Sequence, residues 1–284
     1  MHPILLRVQS FLTRAQTDGT DIDAALVSEL GAAAVQAVTR SFTSNKRSFT
    51  LRASNIGRPS CMLHLESKGT PKEQPSYNNK MRFLIGDLTE QYAILILKAS
   101  GVNIESIGGE VELGGLIGHY DVVIDGKIWD IKSASDWSFR NKMNSFESIQ
   151  NGDTFGYIAQ GVFYQVGLGK PFGGWIVINK SSGEWNVIEF PHDDKAIIDK
   201  ALDTISETRA IIAGTSPPKF FEDEEETFYK KKTGNRLLNN TCGFCDFKQH
   251  CFPGVRYAAN PSSKAKNPPK EYYTVLVEGA ANVN

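Results

Sequence analysis

Residues 115–135 read GLIGHYDVVIDGKIWDIKSAS, and this stretch decides the predicted fold. Two runs rich in β-branched residues meet at Asp125–Gly126, a pair that strongly favours a two-residue type I′ turn between antiparallel strands. Counting outward from that turn sets Asp121 directly opposite Asp130. The stretch therefore predicts a β-hairpin in which two carboxylates face each other.

The predicted pairing gathers polar side chains on one face of the hairpin. Because strand side chains alternate between the two faces, one face carries four of them: His119, Asp121, Asp130 and Lys132, with His119 opposite Lys132. Opposed residues have Cβ atoms about 4.5–5.5 Å apart, and like charges at that distance repel. A cation between the two aspartates relieves the repulsion, which makes the face a candidate metal site. A plain cross-strand ion pair of Asp with Lys is the alternative.

Composition restricts the classes of partner. The chain has 284 residues, enough for one large domain or one domain with appendages, and its 31 basic and 32 acidic residues nearly cancel. A nucleic-acid surface therefore has to be a local patch. The sequence has neither an apolar run long enough to cross a membrane nor the features of a secretion signal. We therefore expect a cytoplasmic protein without membrane contact.

Periodicity predicts further helices and strands around the hairpin. Helical patterns occupy residues 21–42, 81–98, 153–167 and 193–213, and strand patterns occupy 111–113, 174–179 and 184–190. This order predicts an α/β or α+β fold. In the second helix, Gly86 and Glu90 are four residues apart and share a face, so Glu90 is a possible extra carboxylate as well as a possible solvated residue. In the third, Tyr157, Gln160 and Tyr164 form a polar-aromatic stripe.

The cysteines form a second constellation. Cys242, Cys245 and Cys251 make a compact C-x2-C-x5-C cluster, and Cys61 is the only other cysteine in the chain. Four thiolates are the set that a zinc ion or a cubane cluster takes. Because zinc sites commonly use two short pairs, the three-plus-one spacing favours an iron–sulfur cluster over zinc, and both over free thiols. Such a site would tie the region of Cys61 to the C-terminal segment.

The hairpin face has the groups that phosphodiester cleavage requires. Hard Mg²⁺ or Mn²⁺ prefers oxygen ligands and activates water for attack on a phosphate. Asp121 and Asp130 suit such an ion, and Glu90 and the Ile131 carbonyl are further candidate ligands. Lys132 is placed to orient or deprotonate the attacking water, or to stabilise charge on the phosphate.

Taken in order, these motifs resemble the RecB-type nucleases of the PD-(D/E)XK superfamily. The matching residues are Gly118-His-Tyr-Asp121, Asp130-Ile-Lys132 and Gln160-x3-Tyr164. With Cys61 and the C-terminal cysteine cluster, the chain is similar to the iron–sulfur branch, which includes the CRISPR-associated exonucleases of the Cas-four type. The resemblance runs from about Cys61 to Pro253.

The resemblance implies a restriction-endonuclease-like α/β fold, in which helices flank a central mixed β-sheet and an iron–sulfur cluster staples the N- and C-terminal segments. It implies that Asp121 and Asp130 bind metal, that Lys132 is the catalytic lysine, and that Gln160 and Tyr164 line the site and contact DNA. The four cysteines would hold a [4Fe–4S] cluster. One departure is Gly86-x3-Glu90, where many members have Gly-x3-His.

We therefore expect a metal-dependent DNA exonuclease that acts on DNA ends or single strands in recombination, repair or processing, in a bacterial or phage-infected cell. The alternatives are a structure-specific endonuclease or resolvase, and a non-catalytic DNA-binding protein with iron–sulfur or zinc. The sequence has no P-loop, so either a helicase, an annealing protein or another recombination partner opens duplexes, or the DNA ends are already frayed. The expected domains are a helical extension (1–50), a nuclease domain (51–256) and a flexible tail (257–284).

Overall fold

The computed structural model describes residues 1–43, 49–74 and 77–277. Within these ranges the helices are α1 (Pro3–Thr17), α2 (Ala24–Phe42), α3 (Ser60–Ser67), α4 (Tyr77–Ala99), α5 (Asp136–Asn141), α6 (Phe146–Gly152), α7 (Tyr157–Leu168), α8 (Lys195–Ala213), α9 (Asn240–Gly243) and α10 (Lys248–Cys251). The strands are β1 (Ile104–Ile107), β2 (Glu110–Leu113), β3 (Leu116–His119), β4 (Val122–Ile124), β5 (Lys127–Ala134), β6 (Phe172–Asn179), β7 (Trp185–Glu189), β8 (Glu224–Phe228), β9 (Lys231–Leu237), β10 (Arg256–Ala259) and β11 (Lys270–Val275).

The chain divides into two compact units. The first comprises Met1–Arg58 and Ser76–Thr208, and the second comprises Pro59–Pro75 and Arg209–Asn284. The predicted boundaries at residues 50 and 256 do not coincide with this division, because the segment around Cys61 packs with the C-terminal part of the chain. No helix in the described ranges is long and apolar enough to cross a membrane.

A central mixed sheet forms the first unit, as the sequence predicts. Its strand order is β1-β4-β5-β6-β7. Strands β5 and β6 are parallel, whereas the other neighbours are antiparallel. The β4–β5 turn is the predicted one: Ile124 pairs with Lys127, and Asp125 and Gly126 have φ angles of 48° and 76°. Both angles are positive, as a type I′ turn requires.

Helices cover both faces of this sheet, and β6 shows how the sequence achieves it. Trp175 and Val177 pack in a core with side chains of α7 and α8, while Ile176 and Ile178 pack in a second core with α1 and α4. The two cores use alternate residues because successive strand side chains point to opposite faces. All eight residues of β6 are buried, so β6 is a central strand. Burial of each large apolar side chain contributes about 1.5–3 kcal/mol.

The predicted position of His119 is wrong. His119 ends β3, which pairs with β2, and it lies opposite Glu110 with Nε2 3.7 Å from a carboxylate oxygen. Tyr120 and Asp121 lie between β3 and β4 and belong to neither strand. The strand of the hairpin therefore begins at Val122 and does not include His119. Lys132 instead lies beside Val177 of β6.

The second unit contains an antiparallel sheet in the order β10-β11-β9-β8. Strands β10 and β11 lie where a flexible tail was expected. Their backbone groups pair with each other, and β11 also pairs with β9, which fixes the segment in the sheet. The last seven residues of the predicted tail, 278–284, lie outside the described ranges.

Candidate active site

Strands β4 and β5 bring the two predicted aspartates together. Val122 pairs with Trp129, so Asp121, one residue before β4, lies in register with Asp130 on β5. The Ile131 N–H donates a hydrogen bond to Asp121 Oδ2 at 2.6 Å. This bond holds the Asp121 carboxylate against the backbone of β5 although Asp121 itself is outside the strand.

Asp130 and Lys132 share a face of β5 because they are two residues apart. Asp130 is only 3% exposed, and Lys132 Nζ lies 2.6 Å from Asp130 Oδ2. The contact is a close ion pair, so the Lys132 ammonium is the partner of this buried oxygen. A buried charge of this kind costs free energy unless an opposite charge pairs with it.

Glu90 of α4 belongs to the same electrostatic cluster. Burial, followed by the charges of Asp130 and Asp87, raises the pKa of Glu90 to about 6. Burial and then the charges of Asp130 and Glu90 raise the pKa of Asp121 well above its usual range. The carboxylates therefore repel one another inside the protein.

Lys132 only partly balances this negative charge. Burial disfavours its ammonium form, but Asp130 and Asp121 outweigh burial and raise the pKa of Lys132. The cluster of Glu90, Asp121, Asp130 and Lys132 thus has three acidic side chains and one base. A divalent cation would neutralise this excess of negative charge.

Gln160 and Tyr164 are buried side chains that support the site through hydrogen bonds. The Tyr164 hydroxyl donates to the His119 carbonyl at 2.6 Å, and Gln160 Nε2 donates to the Tyr164 hydroxyl at 3.0 Å. Tyr164 is 1% exposed, and burial, then the charge of Asp130, raises its pKa. These bonds fix the chain just before Asp121. Direct contact of these two side chains with DNA stays a prediction.

Gly118 permits the close packing of Tyr164 against β3. A Cβ on Gly118 would lie 2.7 Å from Phe163 and 2.8 Å from Tyr164, closer than carbon atoms approach one another. Gly118 therefore lets α7 lie directly against β3. This gives a physical reason for glycine at the start of the Gly118-His-Tyr-Asp121 motif.

Tyr157 is a site residue that the sequence predictions did not include. Lys132 Nζ lies 5.1 Å from the centroid of the Tyr157 ring, so the ring faces the ammonium group. Its signal in the sequence was the stripe with Gln160 and Tyr164. Asp153 caps the N-terminus of α7, because its carboxylate accepts hydrogen bonds from the backbone N–H groups of Tyr157 and Ile158 at 2.8 and 3.0 Å.

The four cysteines all lie in the second unit, and none forms a disulfide. Cys61 is on α3, Cys242 on α9 and Cys251 at the end of α10, with Cys245 between the last two helices. Burial, and then the charges of Cys245, Cys61 and Cys251, raise the pKa of Cys242 to about 11. The thiols therefore lie within electrostatic range of one another.

Hydrogen bonds tie the cysteine segments together within this unit. Lys248 Nζ donates to Glu73 Oε2 at 2.5 Å, and the Glu73 N–H donates to the Asp246 carbonyl at 2.8 Å. In the ranges that the structure describes, no group of three or more His, Cys, Asp or Glu side chains is arranged to hold a metal ion. Metal and cluster binding by the two constellations therefore stay predictions.

Comparisons with known proteins give distant structural neighbours. No family model matches the chain, and no curated protein matches it. A solved structure of SSO0001 has 14% identity and a TM-score of 0.41, covering 77% of this chain and 93% of that one. An alkaline exonuclease (LHK-Exo) from Laribacter hongkongensis has 15% identity and a TM-score of 0.41, covering 58% of this chain and 89% of that one. At these values the two neighbours do not decide the function.

Proposed function

We propose that this chain is a metal-dependent DNA nuclease of the PD-(D/E)XK type that acts as an exonuclease on DNA ends or single strands. One observation supports it above the others. The buried Asp130 carboxylate lies in one electrostatic cluster with Asp121 and Glu90, and Lys132 is the base paired with it. Stable proteins seldom gather three partly or fully buried carboxylates around a single base without a functional reason.

The donor atoms fit Mg²⁺ or Mn²⁺. Asp121 and Asp130 offer carboxylate oxygens, and Glu90 and the Ile131 carbonyl are further oxygen donors nearby. Mg²⁺ sites commonly use one or two carboxylates and leave the other positions to water and substrate phosphates. A two-carboxylate site is therefore compatible with the lack of a three-residue group among the described side chains. When bound, the ion would supply an activated water and neutralise charge on the phosphate.

The chain's own side chains have separate tasks in this proposal. The Lys132 ammonium can donate hydrogen bonds to the attacking water or to a phosphate oxygen, while its ion pair with Asp130 fixes its position. Tyr164 and Gln160 hold the backbone before Asp121, so the two aspartates keep their spacing. The Tyr157 ring also faces the ammonium group, 5.1 Å from its centroid to Nζ.

The cysteines are proposed to hold a structural [4Fe–4S] cluster, with Zn²⁺ as the alternative. The donor set fits because four thiols lie in one unit without a disulfide between them, and burial together with neighbouring thiols raises the pKa of Cys61 and Cys242. Broad visible absorption together with about four irons and four sulfides per chain would support the cluster. Zinc in the protein with no visible absorption would support the alternative.

The test is a nuclease assay with the full chain on end-labelled single- and double-stranded DNA, with Mg²⁺, Mn²⁺ or EDTA. We expect cleavage of linear DNA with either metal and none in EDTA. A covalently closed single-stranded circle separates exonuclease from endonuclease, since an exonuclease needs an end. Cleavage of the circle would replace the exonuclease proposal by an endonuclease or resolvase. No cleavage together with no Mn²⁺ binding by calorimetry would favour a non-catalytic DNA-binding protein.

A further inference from the structure

An exposed aromatic ring lies next to the proposed catalytic lysine. Phe155, in the segment between α6 and α7, is 63% exposed. Its ring stacks on Tyr157 with centroids 5.6 Å apart and planes inclined by 27°. The Tyr157 ring in turn faces Lys132 Nζ at 5.1 Å. Phe155 therefore extends a row of groups from the catalytic lysine out to solvent.

A second exposed ring follows β5 directly. Trp137 lies on α5, which begins two residues after β5 ends, and it is 62% exposed. Lys142 Nζ lies 5.9 Å from the Trp137 ring centroid. The same Nζ lies 3.3 Å from the position that a Cβ on Gly152 would take, so Lys142 reaches the end of α6. The cation therefore connects Trp137 to the segment that carries Phe155.

We propose that Phe155 and Trp137 are base-stacking residues for the unpaired nucleotides of a DNA strand at the site, a role that rests on the proposed nuclease function. We call this surface the aromatic stripe: Trp137, Lys142, Phe155, Tyr157 and Lys132. Exposed rings accept the faces of bases, and lysines beside them neutralise phosphates. Each of the two exposed rings can stack on one base, and Lys142 beside Trp137 can neutralise a nearby phosphate.

The stripe favours unpaired over paired DNA. In a duplex each base is already stacked and paired, so its face can reach a protein ring only after unstacking, which costs free energy. A single strand offers its bases without that cost. Phe155 and Trp137 thus select the strand state of the DNA, and the carboxylate cluster is left to cleave it.

The test measures binding of the full chain to a single strand containing 2-aminopurine, by anisotropy and by quenching, without added divalent metal. The variants are Phe155→Ala, Trp137→Ala and Phe155→Leu, which keeps apolar volume but removes the ring. The control is Tyr92→Ala: Tyr92 is 45% exposed on α4 and lies roughly 200° around the helix from Glu90. Thermal melts check that each variant folds.

We expect each ring removal to weaken single-strand binding about tenfold and to reduce the quenching, with Phe155→Leu resembling Phe155→Ala. Tyr92→Ala should bind as the wild type does, and blunt duplex binding should change far less. Wild-type binding by the folded Phe155 and Trp137 variants, or an equal loss for duplex, would overturn the inference. If the protein cleaves DNA in a metal-dependent way but the ring substitutions do not change binding, the stacking proposal fails and the nuclease proposal stands. Ring-dependent binding without any cleavage leaves only the stacking site.

Discussion

The substitution Asp121→Asn should stabilise the EDTA-treated protein and abolish its response to Mn²⁺. Asparagine keeps an oxygen that can accept the Ile131 N–H, so the hydrogen bond survives while the charge is lost. The Cβ atoms of directly opposed strand residues lie about 5 Å apart, and the two charges are taken at that separation. Two unit charges at that distance repel by about 3 kcal/mol at an effective dielectric constant near 20.

The net gain is smaller than that repulsion because the neutral asparagine also loses the attraction to Lys132, and a value of about 1–3 kcal/mol is expected at pH 8. A protein unit of this size changes its melting temperature by about 2–4 °C per kcal/mol. Asp121→Asn should therefore melt several degrees above the wild type in EDTA. At 100 times its dissociation constant, Mn²⁺ should stabilise the wild type by about 2.7 kcal/mol and the variant by nothing. In Mn²⁺ the wild type and Asp121→Asn should therefore melt at similar temperatures, or the wild type should melt higher.

Differential scanning calorimetry in EDTA and in Mn²⁺ measures both effects. Asp125→Asn is the matched control, because Asp125 is an exposed residue of the same hairpin at a positive φ that asparagine also tolerates. The control should melt like the wild type in both conditions. If Asp121→Asn melts lower than the control in EDTA and still gains stability from Mn²⁺, the carboxylate cluster is not a cation site.

Three further predictions concern the elements around the site. Tyr164→Phe removes the donor to the His119 carbonyl, so it should lower the free energy of unfolding by about 1–2 kcal/mol and slow cleavage more than tenfold. Calorimetry measures the stability and kinetic assays measure the cleavage rate. An unchanged cleavage rate would contradict this role of Tyr164. Cys251→Ser should lower bound iron and visible absorption by metal analysis and spectroscopy; full retention would remove Cys251 from the ligands. Gly161→Ala should cost about 1–3 kcal/mol in a thermal melt, because its Cβ would lie 2.3 Å from Phe172, and an equal melt would refute the contact.

Local signals in the sequence predicted the parts of the fold that are determined locally. The Asp125–Gly126 turn and the register of β4 with β5 follow from two residues that tolerate positive φ. The helices α4 and α7 follow from long periodic patterns, and the structure places them at Tyr77–Ala99 and Tyr157–Leu168, within a few residues of the predicted ranges. The proximity of Asp121 and Asp130 follows from the same register.

Features that depend on distant partners were not predictable in the same way. His119 was placed wrongly because period-two alternation does not reveal where one strand ends and a second begins. Strands β10 and β11 were missed because the connection between them, rich in proline and lysine, has the composition of a tail, and their pairing with β9 lies far away in sequence. The Tyr164 bond to the His119 carbonyl spans 45 residues, which no local pattern encodes.

The most direct test of the nuclease proposal compares cleavage by the wild type, Asp130→Asn and Lys132→Met on end-labelled single-stranded DNA with Mn²⁺. DNA affinity and the thermal melt are measured on the same preparations. We predict that both variants fold and bind DNA, with a lower melting temperature for Lys132→Met because the carboxylates lose their cation, but cleave at least about a thousandfold more slowly. Cleavage by both variants at the wild-type rate would contradict the assignment of the site.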